Sequence, residues 1–113
     1  MKKIEAVIRP QKLNEVRESL KNLGYPGMSI TRIEGHGKRK GKIEQFRGQE
    51  YKVELLPEVK IEIMAKDSDV IAITKAISKA AKTGNVGDGK IFISPIEDII
   101  RIRTGEKGED ALS

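Results

Sequence analysis

The chain has 113 residues, of which 37% are hydrophobic and 35% charged, with a formal net charge of +5 and neither cysteine nor tryptophan. That length makes one domain with a thin core, and the missing cysteines exclude a disulfide framework, a thiolate metal cluster and a thiol nucleophile. The positive balance favours an anionic partner, a demand that nucleotide phosphates meet as well as nucleic acid does.

Residues 2–9 alternate Ile4, Ala6 and Ile8 against Glu5 and Arg9, the pattern of a strand with one buried face, and Pro10 stops it. Leu13, Val16, Leu20 and Leu23 then recur at helical spacing, with Gly24 placed as a C-terminal stop and Tyr25-Pro26-Gly27 as a turn. A second strand is expected from about Met28 to Glu34. From Gly35 to Leu55 the periodicity breaks down among glycines, lysines and arginines. A loop of about twenty residues in a small domain tends to be functional or mobile; a disordered hairpin tip with solvated charge accounts for the same residues.

Val59, Ile61, Ile63 and Ala65 form a period-two strand. Asp67 or Ser68 is placed to cap a helix whose inner face is Val70, Ile73, Ala76 or Ile77, and Ala80. A glycine turn follows, then a strand at Ile91 to Ser94 in which Phe92 reads as core. Pro95 precedes a last strand through Ile99 to Arg103 and a polar tail. The order βαββαβ, with a short extra strand, predicts an α+β ferredoxin-like sandwich: two helices on one face of an antiparallel sheet, in one domain over 1–113. Unrelated activities share that fold, so function must come from the motifs. No leader peptide and no apolar run of about 18 residues is seen, so a cytoplasmic protein is expected, reaching a membrane only through a partner.

The most informative stretch is Thr83-Gly84-Asn85-Val86-Gly87-Asp88-Gly89-Lys90, directly before Ile91-Phe92-Ile93. Its glycines let a backbone turn tightly and approach a ligand, and freed N–H groups beside one ammonium suit a phosphate. Taken alone this stretch is a weak signal, and a structural helix-to-strand turn is the favoured reading of the same residues. Further on lies Arg101-Ile102-Arg103-Thr104-Gly105-Glu106; on a strand, arginines at i and i+2 would share a face and invite an anion between them.

With TGNVGDGKIFI, RIRTGE and the loop motif RGQEY together, the chain resembles the PII nitrogen-regulatory proteins of the GlnB/GlnK type, from Lys2 to about Leu112. The resemblance implies a homotrimer that binds ATP and ADP competitively in clefts between subunits, and a long T-loop, about 37–55, that signals to partners. It matches Gly87, Asp88, Gly89 and Lys90 to the phosphate-wrapping turn at 83–90. Arg101 and Arg103, at the start of a C-terminal loop over about 103–113, match arginines that arrive from the neighbouring subunit. Gly35, Gly37 and Lys38 match the T-loop base. Ser29 stands for a threonine, and Glu62 and Met64 fall on the strand lining adenine and ribose. Four cations (Lys38, Lys90, Arg101 and Arg103) would then face the roughly four charges of ATP. Arg47 matches the residue that blocks an ammonium transporter in GlnK-type members. Tyr51 matches one nucleotidylated in some bacteria and is read first as an unmodified contact.

Two residues depart from the family where it senses 2-oxoglutarate. Arg39 replaces a glutamine that ligates Mg²⁺, and a guanidinium has no lone pair to offer. Glu58 replaces a lysine that pairs with the distal carboxylate. Weak or lost 2-oxoglutarate sensing is expected, with Mg²⁺ possible alongside ATP but no protein ligand to it. Arg39 and Glu58 either pair with each other or stay separately solvated.

Other classes fit less well. An RNA-binding ferredoxin-like module needs exposed sheet aromatics, and Phe92 reads as core, so no nucleic acid partner is expected. For an enzyme, His36 is a lone histidine between glycines and the carboxylates show no paired spacing, so no catalytic residue and at most incidental ATPase activity are expected. The nearest alternative is a PII-like adenylate sensor acting on a different transporter or enzyme, with another small-molecule effector.

Overall fold

The computed structural model describes residues 1–36, 43–46, 49–52 and 55–112, with side chains for 1–35 and 56–112. The elements run β1 (Lys2–Ile8), α1 (Leu13–Asn22), β2 (Ser29–His36), β3 (Ile43–Phe46), β4 (Gln49–Lys52), β5 (Leu55–Ala65), α2 (Val70–Ala81) and β6 (Gly89–Pro95). β2, β5, β1 and β6 form one four-stranded sheet in that spatial order, and every pairing in it is antiparallel. Both helices cover the same face, which gives the expected ferredoxin-like fold.

The buried core follows the two periodicities. Ile4, Ala6 and Ile8 of β1, with Val59, Ile61, Ile63 and Ala65 of β5, point under the helices and meet Val16, Leu20, Ile73, Ile77 and Ala81. Helix α1 ends in a Schellman motif: Gly24 at φ +88° lets its own N–H reach the Lys21 carbonyl and the Tyr25 N–H reach that of Leu20. The opposite face of the sheet carries no covering element among the described residues. It presents Lys3, Glu5 and Val7, then Glu58, Lys60, Glu62 and Met64, then Lys90 and Phe92.

Five expectations are corrected. β5 begins at Leu55 rather than Val59, because Pro57 lies where β1 has already ended at Ile8↔Val59 and only β2 remains alongside. The stretch taken as aperiodic contains an antiparallel pair, β3 and β4, in register from Ile43↔Lys52 to Phe46↔Gln49; backbone pairing alone leaves no hydrophobic alternation to read. Neither Asp67 nor Ser68 caps α2. The chain makes a 3-10 turn over Asp67–Asp69, and the Asp67 carboxylate instead pairs with the Met1 amine at 2.8 Å.

Phe92 is not core: it is 52% exposed, on the uncovered face of an edge strand. Finally, Ile99 to Arg103 is not a strand. Ile100 makes a single bridge to Lys107. The chain then folds back on itself, the Gly105 N–H reaching the Arg101 carbonyl at 2.7 Å and the Arg101 N–H reaching that of Glu106 at 2.9 Å. Gly105 at φ +75° permits the reversal, and the Thr104 hydroxyl accepts from the Glu106 N–H. Local hydrogen bonding wins over extension of the sheet.

Candidate functional site

The turn between α2 and β6 is built around Asp88. Its carboxylate accepts from the backbone N–H groups of Thr83 and Gly84, each at 2.9 Å, and from the Thr83 hydroxyl. Arg9, just beyond β1, donates Nε to the same carboxylate at 3.1 Å and Nη2 to the Val86 carbonyl at 2.8 Å. Hydrogen bonding from Thr83, above all, holds the Asp88 carboxyl well below the ordinary carboxylate range. Gly84, Gly87 and Gly89 take φ of +88°, +101° and +105°, values that side-chain-bearing residues avoid. At Gly89 a second constraint applies: a Cβ there would run into the Val7 carbonyl. This close approach follows from the Ile8↔Gly89 register that zips β6 onto β1.

A cleft of about 350 Å³ lies beside the turn, between the last turns of α2 and the start of β6, its lining including Ile8, Ile77, Ile91, Lys82 and Asp88. Lys90 itself is exposed on the uncovered face of the sheet.

The root of the long loop sits at the same end of the sheet, where Gly35 pairs with Leu56 and Ile33 with Glu58. The Glu58 side chain lies across Gly35, so closely that a Cβ at position 35 would overlap its carboxylate. Gly37, Lys38, Arg39 and Arg47 lie outside the described residues, as does the side chain of Tyr51.

The remaining candidates gather elsewhere. Ser29 sits opposite Glu62, with Met64 two residues on, on the β2–β5 side of the uncovered face. The Glu62 carboxylate is paired with Lys3 at 3.2 Å and Lys60 at 3.5 Å, and the Lys3 hydrogen bond, foremost, lowers its pKa. Two strands separate Ser29 from β6, so about 14 Å of sheet lies between Ser29 and Lys90, whereas Glu62 and Met64 on β5 have only β1 between them and β6.

Arg101 and Arg103 follow the far end of β6, where the Ile96 N–H donates to the Met1 carbonyl. The premise that they share a strand face fails, since the segment is a turn. Arg101 instead donates Nη1 to the Glu106 carboxylate and Nη2 to the Asp110 carbonyl. Within one chain, then, Gly87, Asp88, Gly89 and Lys90 come together, while Gly35 lies at the same end of the sheet but on β2, the opposite edge from β6. Ser29, Glu62 and Met64 form a second group, and Arg101 and Arg103 a third.

Sequence reasoning missed Arg9 as part of the turn, and placed Thr83 in it without assigning its hydroxyl to Asp88. Thr83 had a local signal, a hydroxyl five residues before an aspartate. Arg9 had none, because it lies 79 positions from Asp88 and only the β1–β6 pairing joins them.

A family model described as Nitrogen regulatory protein P-II matches residues 1–106. A protein of that name from Azospirillum brasilense is 54% identical over 99% of this chain and 100% of its own length. One from Rhizobium meliloti is 52% identical and one from Pasteurella multocida 53%, with the same coverage. At such identity over 99% of its length, the chain belongs to the P-II family of nitrogen regulatory proteins.

Proposed function

We propose that the protein is an adenine-nucleotide sensor: it binds ATP and ADP competitively at the glycine turn and signals to a nitrogen-metabolism partner through the loop at about 37–55. The observation that carries this reading is the turn itself. Three glycines at positive φ and a buttressing Asp88 pre-form a backbone loop beside the exposed Lys90 ammonium, an arrangement suited to phosphate oxygens. Mg²⁺ would enter with the nucleotide, held by phosphate and water rather than by a protein ligand.

The distance of Ser29, Arg101 and Arg103 from the turn supports a homotrimer, in which Ser29, Glu62, Met64, Arg101 and Arg103 of a neighbouring copy would meet it. Phe92, Met64, Ile100 and Ile102, all 38% exposed or more, supply apolar surface for such an assembly. An ammonium transporter is the partner proposed on the strength of Arg47. The protein would work in the cytoplasm, without catalysis of its own beyond incidental ATP hydrolysis.

The input is proposed to be the adenylates alone. The Glu58 carboxylate occupies the loop root against Gly35. A dicarboxylate arriving there would meet a carboxylate in place of a cation, so its distal carboxylate gains no attractive partner from position 58.

Calorimetric titration tests the reading. ATP and ADP should bind and displace one another, whereas 2-oxoglutarate added to the Mg-ATP form should give no micromolar signal. Replacing Arg39→Gln with Glu58→Lys should restore that signal. A protein that stays monomeric and ignores adenine nucleotides would refute the proposal, and phosphate release at a substantial rate would favour an enzyme.

A further inference from the structure

The geometry points to Arg9 as the positioning residue of the glycine turn: its guanidinium locks the turn into a phosphate-ready shape and cancels the charge of Asp88, without itself touching the ligand. This deepens the nucleotide reading and rests on it.

Two acceptors share the one guanidinium. Nε takes the Asp88 carboxylate at 3.1 Å and Nη2 takes the Val86 carbonyl at 2.8 Å, so the fork spans the middle of the turn and ties it to the end of β1. The Arg9 and Asp88 side chains are 20% and 24% exposed, so the contact is sheltered rather than a loose surface pair. Planarity matters, because two fixed N–H directions hold two acceptors at once where an ammonium would offer a point charge. The Asp88 carboxylate, for its part, gathers Thr83 and Gly84. Without Arg9 that carboxylate would remain in the turn as an uncompensated negative charge, repelling any phosphate that approached.

Arg9 therefore does two separable things, and paired variants distinguish them. Arg9→Met keeps the length and removes both hydrogen bonds and the charge. Arg9→Lys keeps the charge without the fork. Arg9→Met combined with Asp88→Asn removes the exposed charge without restoring the fork.

The test is ATP and adenosine affinity by calorimetry, together with amide exchange at Thr83 and Gly84 in the nucleotide-free protein. For Arg9→Met, ATP affinity should fall about tenfold or more, adenosine affinity should change less than about twofold, and both amides should exchange about tenfold faster. Arg9→Lys should recover only part of the ATP affinity, and the double variant should not return to wild type.

ATP affinity unchanged in Arg9→Met would overturn the inference, as would equal losses for ATP and adenosine, which would mean general unfolding of the site. Full recovery in the double variant would overturn the positioning role, leaving charge alone. If the wild-type protein binds no ATP, the nucleotide reading itself fails, and the exchange rates still judge the lock: unchanged protection at Thr83 and Gly84 overturns it.

Discussion

Alanine at Gly89 and alanine at Gly84 should differ sharply, although the two glycines sit five residues apart in one turn. Both have positive φ, +105° and +88°. Placing an L-residue in that region costs about 1–2 kcal/mol, so Gly84→Ala, which meets nothing within 4 Å, should lose about that much. Gly89→Ala adds a collision with the Val7 carbonyl group, whose carbon lies 2.8 Å from the new Cβ position. Val7 cannot retreat: it is registered with Lys60 on one side and Lys90 on the other, between the fully buried Ala6 and the nearly buried Ile8. Forcing backbone apart in a packed sheet costs a further ~1–3 kcal/mol, making about 2–5 kcal/mol in all. Against a total stability of about 5–15 kcal/mol for a domain, that is a large fraction. Urea unfolding at equal protein concentration measures it, and Gly89→Ala should shift the midpoint down by about 1 M or more. Equal losses for the two variants would show that the close approach of Gly89 to β1 has no energetic meaning and would refute the reasoning.

Other outcomes follow from single contacts. The Asp88 carboxyl has a depressed pKa in the folded state, so its contribution is complete above the unfolded value of about 4 and is lost as pH falls below it; the stability gap between wild type and Asp88→Asn should therefore close in acid, and a pH-independent gap would contradict this. The Tyr25 hydroxyl donates to Asp69, joining the turn after α1 to the start of α2, and Tyr25→Phe should cost about 1 kcal/mol in urea unfolding. Burial, first, and this bond raise the Tyr25 pKa, so the tyrosine's contribution should hold below about pH 10 and fade as pH rises further, which alkaline unfolding curves would reveal. Glu106 holds the Arg101 guanidinium; if Arg101 also serves phosphate, Glu106→Gln should raise ATP affinity by up to about fivefold, the ceiling for an exposed pair worth under ~1 kcal/mol. An ATP affinity unaltered by that change would place Arg101 outside the site.

Much of the fold was already written along the chain. The alternation Ile4-Ala6-Ile8 and the run Val59-Ile61-Ile63-Ala65 fix strand faces through a period of two. Leu13-Val16-Leu20 and Ile73-Ile77 mark helices, and Gly24 marks a stop, because each of these signals is local and the physics that reads it reaches only a few residues. The glycines of the turn at 83–90 are local signals too: a backbone that must take positive φ shows itself in the residue type.

Only the tertiary structure decided what depends on partners distant in sequence. It seated Arg9 on Asp88, laid Glu58 across Gly35, and left Phe92 on the face of β6 that no described element covers. It also turned Ile99–Arg103 back on itself, a contest between sheet extension and local hydrogen bonds that an apolar run cannot announce. Periodicity tells which side of an element is apolar; which neighbour meets that side, or whether any does, is fixed by the order in which strands β2, β5, β1 and β6 come to lie.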